Sequence, residues 1–86
     1  MKIIEKKVKN ERGTEYKFDN GAWVCVYSGD EDGNGSWEYQ SDEDDEETYF
    51  EGALWFDDNE VFDYDGINEL PEEVKIAIMD IGCKID

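Results

Sequence analysis

The chain has 86 residues, which allows one domain with a small core, and it carries 25 Asp and Glu against 8 Lys and Arg, for a formal net charge of −17. Three Trp, five Tyr and four Phe supply enough apolar surface for folding, so the composition excludes a disordered acidic tail. No apolar run approaches the ~20 residues of a membrane span, and residues 1–5 lack the apolar core of a signal peptide, so we expect one acidic domain over residues 1–86, located in the cytoplasm.

The first part of the chain has the alternating pattern of strands. Lys2–Lys9 is predicted to form a strand, and Thr14–Phe18 and Ala22–Tyr27 form a hairpin around residues 19–21, because Asn-Gly readily adopts the positive φ angles of a tight turn. The second hairpin strand is apolar on both faces, which predicts a central position in the sheet. A Gly-rich acidic loop, Ser28–Gly35, follows.

The middle of the chain predicts a second hairpin. A short aromatic strand, Trp37–Gln40, is followed by a hydrophilic connection, Ser41–Glu47. Thr48–Phe56 and Val61–Tyr64 then form the two strands, which turn at residues 57–60.

The last predicted element is a helix. Pro71 suits the first helical position, and Gly82 suits a C-terminal cap. The apolar residues that share one helical face are Val74, Ala77, Ile78 and Ile81. Gly52, in the middle of its strand, predicts either a bulge or a close approach by this helix. The expected fold class is therefore α+β, with a small antiparallel sheet of four to six strands and one C-terminal helix packed on it.

Charge is distributed unevenly along the chain. No Lys or Arg occurs in the 57 residues from Phe18 to Val74, which hold 20 Asp and Glu. Most surfaces intersperse the two signs and so limit self-repulsion. A strand places alternate side chains on one face at intervals of ~6.6–6.8 Å, and duplex DNA carries one charge per ~1.7 Å, so rows of carboxylates can imitate a phosphate backbone.

This pattern predicts a protein that mimics the negative charge of DNA and blocks a basic nucleic-acid-binding protein. Nucleic acid itself and anionic membranes would be repelled. The carboxylates predicted to bind the partner are Glu38, Asp42, Glu43, Asp44, Asp45, Glu46, Glu47, Glu51, Asp57, Asp58, Glu60, Asp63 and Asp65. Two aromatic anchors are predicted among them, Trp55 and Tyr64, because Trp and Tyr are enriched at interface hot spots.

A second hypothesis is a calcium-binding module in the loop of residues 30–41. Its oxygen ligands would be Asp30, Asp32, Asn34 and Glu38, at positions 1, 3, 5 and 9 of the loop, with Gly35 at position 6. Gly at the sixth position matches the EF-hand pattern, but the twelfth position, which needs a bidentate Glu, is Ser41. Asp, Asn and Gly are also the residues that turns favour, so a hairpin loop that binds no calcium accounts for the same sequence pattern.

Enzymatic function is not expected. The sequence has no His, which is the usual general base near neutral pH, and it has no phosphate-binding Gly loop or zinc-ligand spacing. Cys25 and Cys83 lie 58 positions apart and are predicted to be reduced, buried thiols. We therefore expect no catalytic residues and no cofactor.

In size and charge, the chain resembles the small acidic proteins that phages and other mobile elements use against host defence, the anti-CRISPR and DNA-mimic anti-restriction proteins. The resemblance is one of class, carried by the acidic span Asp19–Glu73 and by the predicted small sheet with one helix. It implies occupation of a DNA- or PAM-binding groove on a CRISPR nuclease complex. Small acidic immunity proteins that neutralise nuclease toxins are similar for the same physical reason, and an interaction domain with a partner that binds no nucleic acid is a further alternative.

Overall fold

The computed structural model describes residues 1–85, which form one curled sheet and one helix. In chain order, the elements are β1 (Ile3–Val8), β2 (Gly13–Phe18), β3 (Trp23–Tyr27), β4 (Asn34–Gln40), a 3₁₀ turn (Glu46–Thr48), β5 (Tyr49–Asp57), β6 (Glu60–Tyr64), α1 (Glu72–Asp80) and β7 (Lys84–Ile85). Strand order in the sheet follows chain order from β1 to β7. Neighbours from β1 to β6 are antiparallel, and β7 runs parallel to β6.

The predicted α+β class with a helix on a sheet is confirmed, but the sheet is larger than the four to six strands expected. The seventh strand is β7, which pairs in parallel with Glu60 and Val61, so the sheet is mixed and not purely antiparallel. Two residues are too few to show an alternating pattern. Strand β3 lies third of seven with a neighbour on each side, which confirms its predicted interior position.

Both predicted hairpins are present. The turn between β5 and β6 is tighter than predicted, because Asp57 and Glu60 already pair in the ladder and only Asp58 and Asn59 form the loop. These two residues have φ of 50° and 66°, a conformation that Asp and Asn tolerate better than other non-Gly residues. Strand β4 begins at Asn34, three residues before the predicted start.

Helix α1 ends as the sequence predicts and begins one residue later. Pro71 precedes the first helical turn instead of occupying it. At the other end, Gly82 has φ of 91°, its N–H donates to the carbonyl of Met79, and the N–H of Cys83 donates to the carbonyl of Ile78. These two bonds form a Schellman motif, which satisfies carbonyls that the last turn would otherwise leave unpaired.

The two faces of the sheet differ in what covers them. On one face, α1 packs mainly over β3 and encloses a core that includes Tyr16, Val24, Val26, Trp37, Leu54, Val74, Ala77 and Ile78. Alternate residues on the same strands point away from the helix. We call this second surface the open face; across β2 to β5, it includes Glu15, Lys17, Trp23, Cys25, Tyr27, Ser36, Glu38, Gln40, Tyr49, Glu51, Ala53 and Trp55.

Gly52 marks a close approach by the chain, but the expectation that the helix approaches it was wrong. A Cβ at this position would overlap the carbonyl oxygen of Asp65, in the segment that follows β6. The irregular pairing of β5 with β6 lies between Trp55 and Phe56, so Gly52 is not the bulge either. The glycine therefore permits the segment after β6 to cross directly over β5.

A polar cluster fastens α1 to the N-terminal edge of the sheet. Asp80 Oδ2 accepts a hydrogen bond from the Tyr16 hydroxyl at 2.9 Å and lies 2.7 Å from Lys6 Nζ. The Lys6 ammonium also lies 5.9 Å from the centre of the Tyr16 ring. The hydrogen bond from Lys6, with a second from Tyr16, holds the pKa of the Asp80 carboxyl below its usual value despite partial desolvation.

We expect Asp80→Asn to lower the free energy of unfolding by about 1 kcal/mol at pH 7, since it removes a charged acceptor from two hydrogen bonds. The pKa of Asp80 is lowered on folding, so its contribution is complete above the unfolded-state pKa of about 3.9 and is lost as pH falls through the folded-state pKa. Urea denaturation at pH 7 and pH 2.5 should show the difference between wild type and variant shrinking at the lower pH.

The matched control for this experiment is Glu69→Gln, which also removes one negative charge. Glu69 is exposed, and among residues 1–85 it makes neither an ion pair nor a side-chain hydrogen bond. Its loss should leave stability unchanged or raise it slightly, because self-repulsion falls. An equal change for both variants would mean that the cluster around Asp80 contributes nothing to stability.

Candidate functional site

The net charge of the protein lies entirely in one part of the chain. Residues 28–69 carry 17 Asp and Glu and no Lys or Arg, whereas the remaining residues carry 8 acidic and 8 basic residues and so sum to zero. We call residues 28–69 the acidic half; it comprises β4, β5, β6 and their connections. Within the described part of the chain, only Asp30 and Glu43 of its 17 carboxylates form ion pairs, with Arg12 and Lys17.

The basic residues lie mostly at the opposite edge of the sheet. Six of the eight fall in residues 1–17, which form β1, β2 and the turn between them. Three ion pairs in this region involve carboxylates outside the acidic half. They join Lys6 to Asp80, Lys17 to Glu5, and the N-terminal ammonium to Asp19. The two remaining lysines are on α1 and β7. Strand order therefore places most of the basic residues away from β4, β5 and β6, with Arg12 and Lys17 reaching Asp30 and Glu43, and Lys84 lying beside Glu60.

Two predicted carboxylates face each other at the centre of the acidic half. Glu38 on β4 is directly opposite Glu51 on β5, and both lie on the open face. The Tyr49 hydroxyl lies 2.8 Å from Glu38 Oε1 and 2.9 Å from Glu51 Oε2. Partial desolvation and hydrogen bonds to the two carboxylates raise the pKa of the Tyr49 hydroxyl, so it remains a donor at neutral pH.

The six consecutive carboxylates from Asp42 to Glu47 lie in the exposed connection between β4 and β5, at one end of the sheet. Two of them build the turn: Asp42 Oδ1 accepts from the N–H of Asp44, and Asp45 Oδ1 accepts from the N–H of Glu47. Glu43 pairs with Lys17 across the sheet end. The side chains with neither kind of contact among residues 1–85 are Asp44, Glu46 and Glu47, so these three are available to a partner.

Asp57 and Asp58 lie at the other end of the sheet. Residues of the loop 28–33, which the sequence analysis did not place near them, lie beside them there. The loop of residues 28–33 packs beside the β5–β6 turn, where the N–H of Phe56 donates to the carbonyl of Gly33 at 2.8 Å. The two segments enclose a pocket of about 380 Å³. Its acidic lining is Asp30, Glu31, Asp32, Asp57 and Asp58. Only the register of β4 with β5 brings these groups together, so no local motif could have predicted the pocket.

The alternative calcium ligands are not gathered into one site. Asp30 Oδ1 accepts hydrogen bonds from the N–H groups of Asp32 and Asn34, so it stabilises the turn. Glu38 lies four residues after Asn34 along β4, which is about 13 Å at the spacing of an extended strand. Strands flank the loop, and within residues 1–85 no group of three or more His, Cys, Asp and Glu is placed to hold a metal ion.

The remaining predicted carboxylates, on and after β6, differ in their availability. Asp63 is exposed and Glu60 is partly exposed, at the pairing with β7. Asp65 has a structural role, because its carboxylate accepts from the N–H of Ala53 at 2.6 Å, and its carbonyl accepts from the indole N–H of Trp37 at 3.1 Å. Replacing Asp65 would therefore disturb the fold as well as the charge.

The two predicted aromatic anchors lie on different faces. Trp55 is partly buried on the open face, opposite Asn34 and Asp63. Tyr64 packs against the core, and its hydroxyl donates to the carbonyl of Asn68. The rings that are more exposed are Tyr49, Phe50 and Phe62, of which Phe62 is 56% exposed. Register and bulges decide these exposures, and alternation alone could not reveal them.

No protein-family model, curated protein or solved structure matches this chain. Helix α1 is nine residues long. Among residues 1–85, no helix is long and apolar enough to span a bilayer.

Proposed function

We propose that the protein is a non-enzymatic inhibitor that binds a basic nucleic-acid-binding protein, such as a CRISPR nuclease complex, in place of its nucleic acid. The observation that carries the proposal is the confinement of the whole net charge to residues 28–69, where 15 of 17 carboxylates have no ion-pair partner among residues 1–85. A surface of this kind repels itself and lowers the stability of the compact state. A cationic partner would relieve that repulsion.

The arrangement of the carboxylates supports a nucleic-acid-binding groove as the target. Carboxylates follow the acidic half from the connection at one end of the sheet, across Glu38 and Glu51, to the turn at the other end. A groove that holds phosphates by their charge would attract such a surface, and electrostatic steering would speed the encounter.

The cysteines and titratable groups support a binding function over a catalytic one. Cys25 and Cys83 are both free and buried, as predicted. Burial raises the pKa of each thiol, so both are protonated at neutral pH and neither is an activated nucleophile. The sequence contains no His to act as a general base.

The test is capture of the partner from a host lysate, followed by competition with duplex DNA. DNA and the protein should displace each other from the captured partner, and the association rate should fall at least about tenfold between 50 and 500 mM salt. If the partner binds DNA undisturbed while it holds the protein, charge mimicry is wrong, and the alternative of an interaction protein that binds its partner away from the nucleic-acid site replaces it.

Charge reversal at Asp44 and Glu46 tests the role of the acidic half. Both side chains are exposed, and Asp42 and Asp45 stay in place to hold the turn, so D44K/E46K should fold and should weaken partner binding by at least about tenfold. The matched control is E11K/E72K, which changes the net charge equally at exposed positions outside the acidic half. Equal weakening by both variants would show that net charge, and not its location, governs binding.

A further inference from the structure

The open face of the sheet carries a groove at the centre of the acidic half. Helix α1 covers the other face, and the described chain places no helix over this one. The groove runs along β3, β4 and β5 and has a volume of about 400 Å³. The side chains and backbone that line it belong to Tyr27, Ser36, Trp37, Glu38, Glu51, Gly52 and Ala53.

The floor and one wall of the groove are set by residue size and packing. Ser36 on β4 is directly opposite Ala53 on β5, and these small side chains leave room above the sheet. The Tyr27 ring lies against the backbone of Gly13, where a Cβ would contact its edge. The ring is therefore packed over Gly13 on β2, and Tyr27 forms the aromatic wall of the groove on that side.

The two carboxylates of the groove have no ion-pair partner among residues 1–85, although Lys9 lies close enough for Tyr27, Glu15 and, more weakly, Glu38 to raise the pKa of its ammonium. Like charges directly opposite on neighbouring strands are destabilising, and Glu38 and Glu51 form such a pair. Among residues 1–85, no Lys or Arg lies within ion-pair distance of either. The Tyr49 hydroxyl has one proton, so it can donate to only one of the two carboxylates at a time.

We propose that the open face is the surface that docks the basic partner, and that its groove receives an arginine side chain between Tyr27 and the Glu38–Glu51 pair. This inference rests on the function proposed above and names the part of the partner that is recognised. Two carboxylates side by side match the planar fork of a guanidinium, and an aromatic wall allows it to stack. A lysine ammonium offers neither the fork nor the flat surface, so arginine is the preferred occupant.

The test uses hexa-arginine and hexa-lysine peptides as probes of equal charge, with binding measured by calorimetry and by amide chemical shifts at a fixed 50 mM salt. Hexa-arginine should bind at least threefold more tightly than hexa-lysine, with the largest shifts at residues 27, 36, 38, 51 and 53. The E38Q/E51Q variant should bind hexa-arginine at least tenfold more weakly. The matched variant D44N/E46Q, with the same change in net charge, should lose less than threefold.

The outcomes separate this inference from the proposed function. If E38Q/E51Q and D44N/E46Q lose affinity equally, or the two peptides bind equally well, the groove is not an arginine site, whereas binding of cations by the acidic half stands. If neither peptide binds wild-type protein at 50 mM salt, both the inference and the proposed function are wrong. Thermal melting of E38Q/E51Q should match or exceed that of wild type, since a like-charge pair is removed, so a loss of affinity there cannot come from unfolding.

Discussion

Truncation of Trp37 to alanine is expected to lower the free energy of unfolding by about 3–5 kcal/mol, as is typical of fully buried aromatic residues. Trp37 has no exposed surface and lies on β4 within the helix-covered core. Its indole N–H also donates to the Asp65 carbonyl at 3.1 Å, so truncation leaves that carbonyl without its donor. A domain of this size has a total stability of about 4–13 kcal/mol, so the variant should be close to unfolding.

Urea denaturation of Trp37→Ala measures this loss, with Trp23→Ala as the control. Trp23 is partly exposed on the open face, where its indole N–H donates to Glu15. Its truncation should cost roughly half as much or less, because Trp23 is partly exposed and less apolar surface loses its burial. Trp37→Phe should fall between the two, since it keeps a smaller aromatic ring in the core but removes the hydrogen bond. Equal losses for Trp37→Ala and Trp23→Ala would contradict the central position of Trp37 in the core.

The elements that the sequence predicts well are those specified by local chemistry. Val24 and Val26 alternate with Cys25, and all three are buried on an interior strand as the pattern predicts. Gly82 stops α1 because only a residue that adopts positive φ easily completes its C-terminal motif. The start of β4 was missed because Asn34 and Gly35 are residues that turns also favour, and only pairing with β5 makes them a strand.

The candidate site is less predictable than the fold for a similar reason. The run from Asp42 to Glu47 is visible in the sequence, and it is exposed as expected. The opposition of Glu38 and Glu51 is not visible, because it depends on a register fixed by strands whose partners lie far apart in the chain. The structural use of Asp65 is likewise hidden, since nothing in its neighbourhood in the sequence indicates a bond to Ala53.

Gly52 should be the least tolerant position on β5. Any side chain there begins with a Cβ that overlaps the Asp65 carbonyl oxygen and lies 2.8 Å from Trp37 Nε1. The backbone after β6 would have to move away and would lose its contacts with Trp37 and Ala53. We expect Gly52→Ala to lower the free energy of unfolding by about 2–3 kcal/mol, the upper range for overpacking, because the obstacle is backbone and cannot rotate aside.

The control for Gly52→Ala is Ala53→Gly, at the neighbouring position on the groove floor. It removes a methyl group from a strand and should cost only about 0.5–1 kcal/mol. A double-mutant cycle then tests the mechanism, because Gly52→Ala and Trp37→Phe break the same hydrogen bond to Asp65. Their combined loss should be smaller than the sum of the single losses by at least about 0.5 kcal/mol. Strictly additive losses would mean that the segment after β6 moves away from Gly52 without breaking the hydrogen bond from Trp37 to Asp65. The two residues would then act independently.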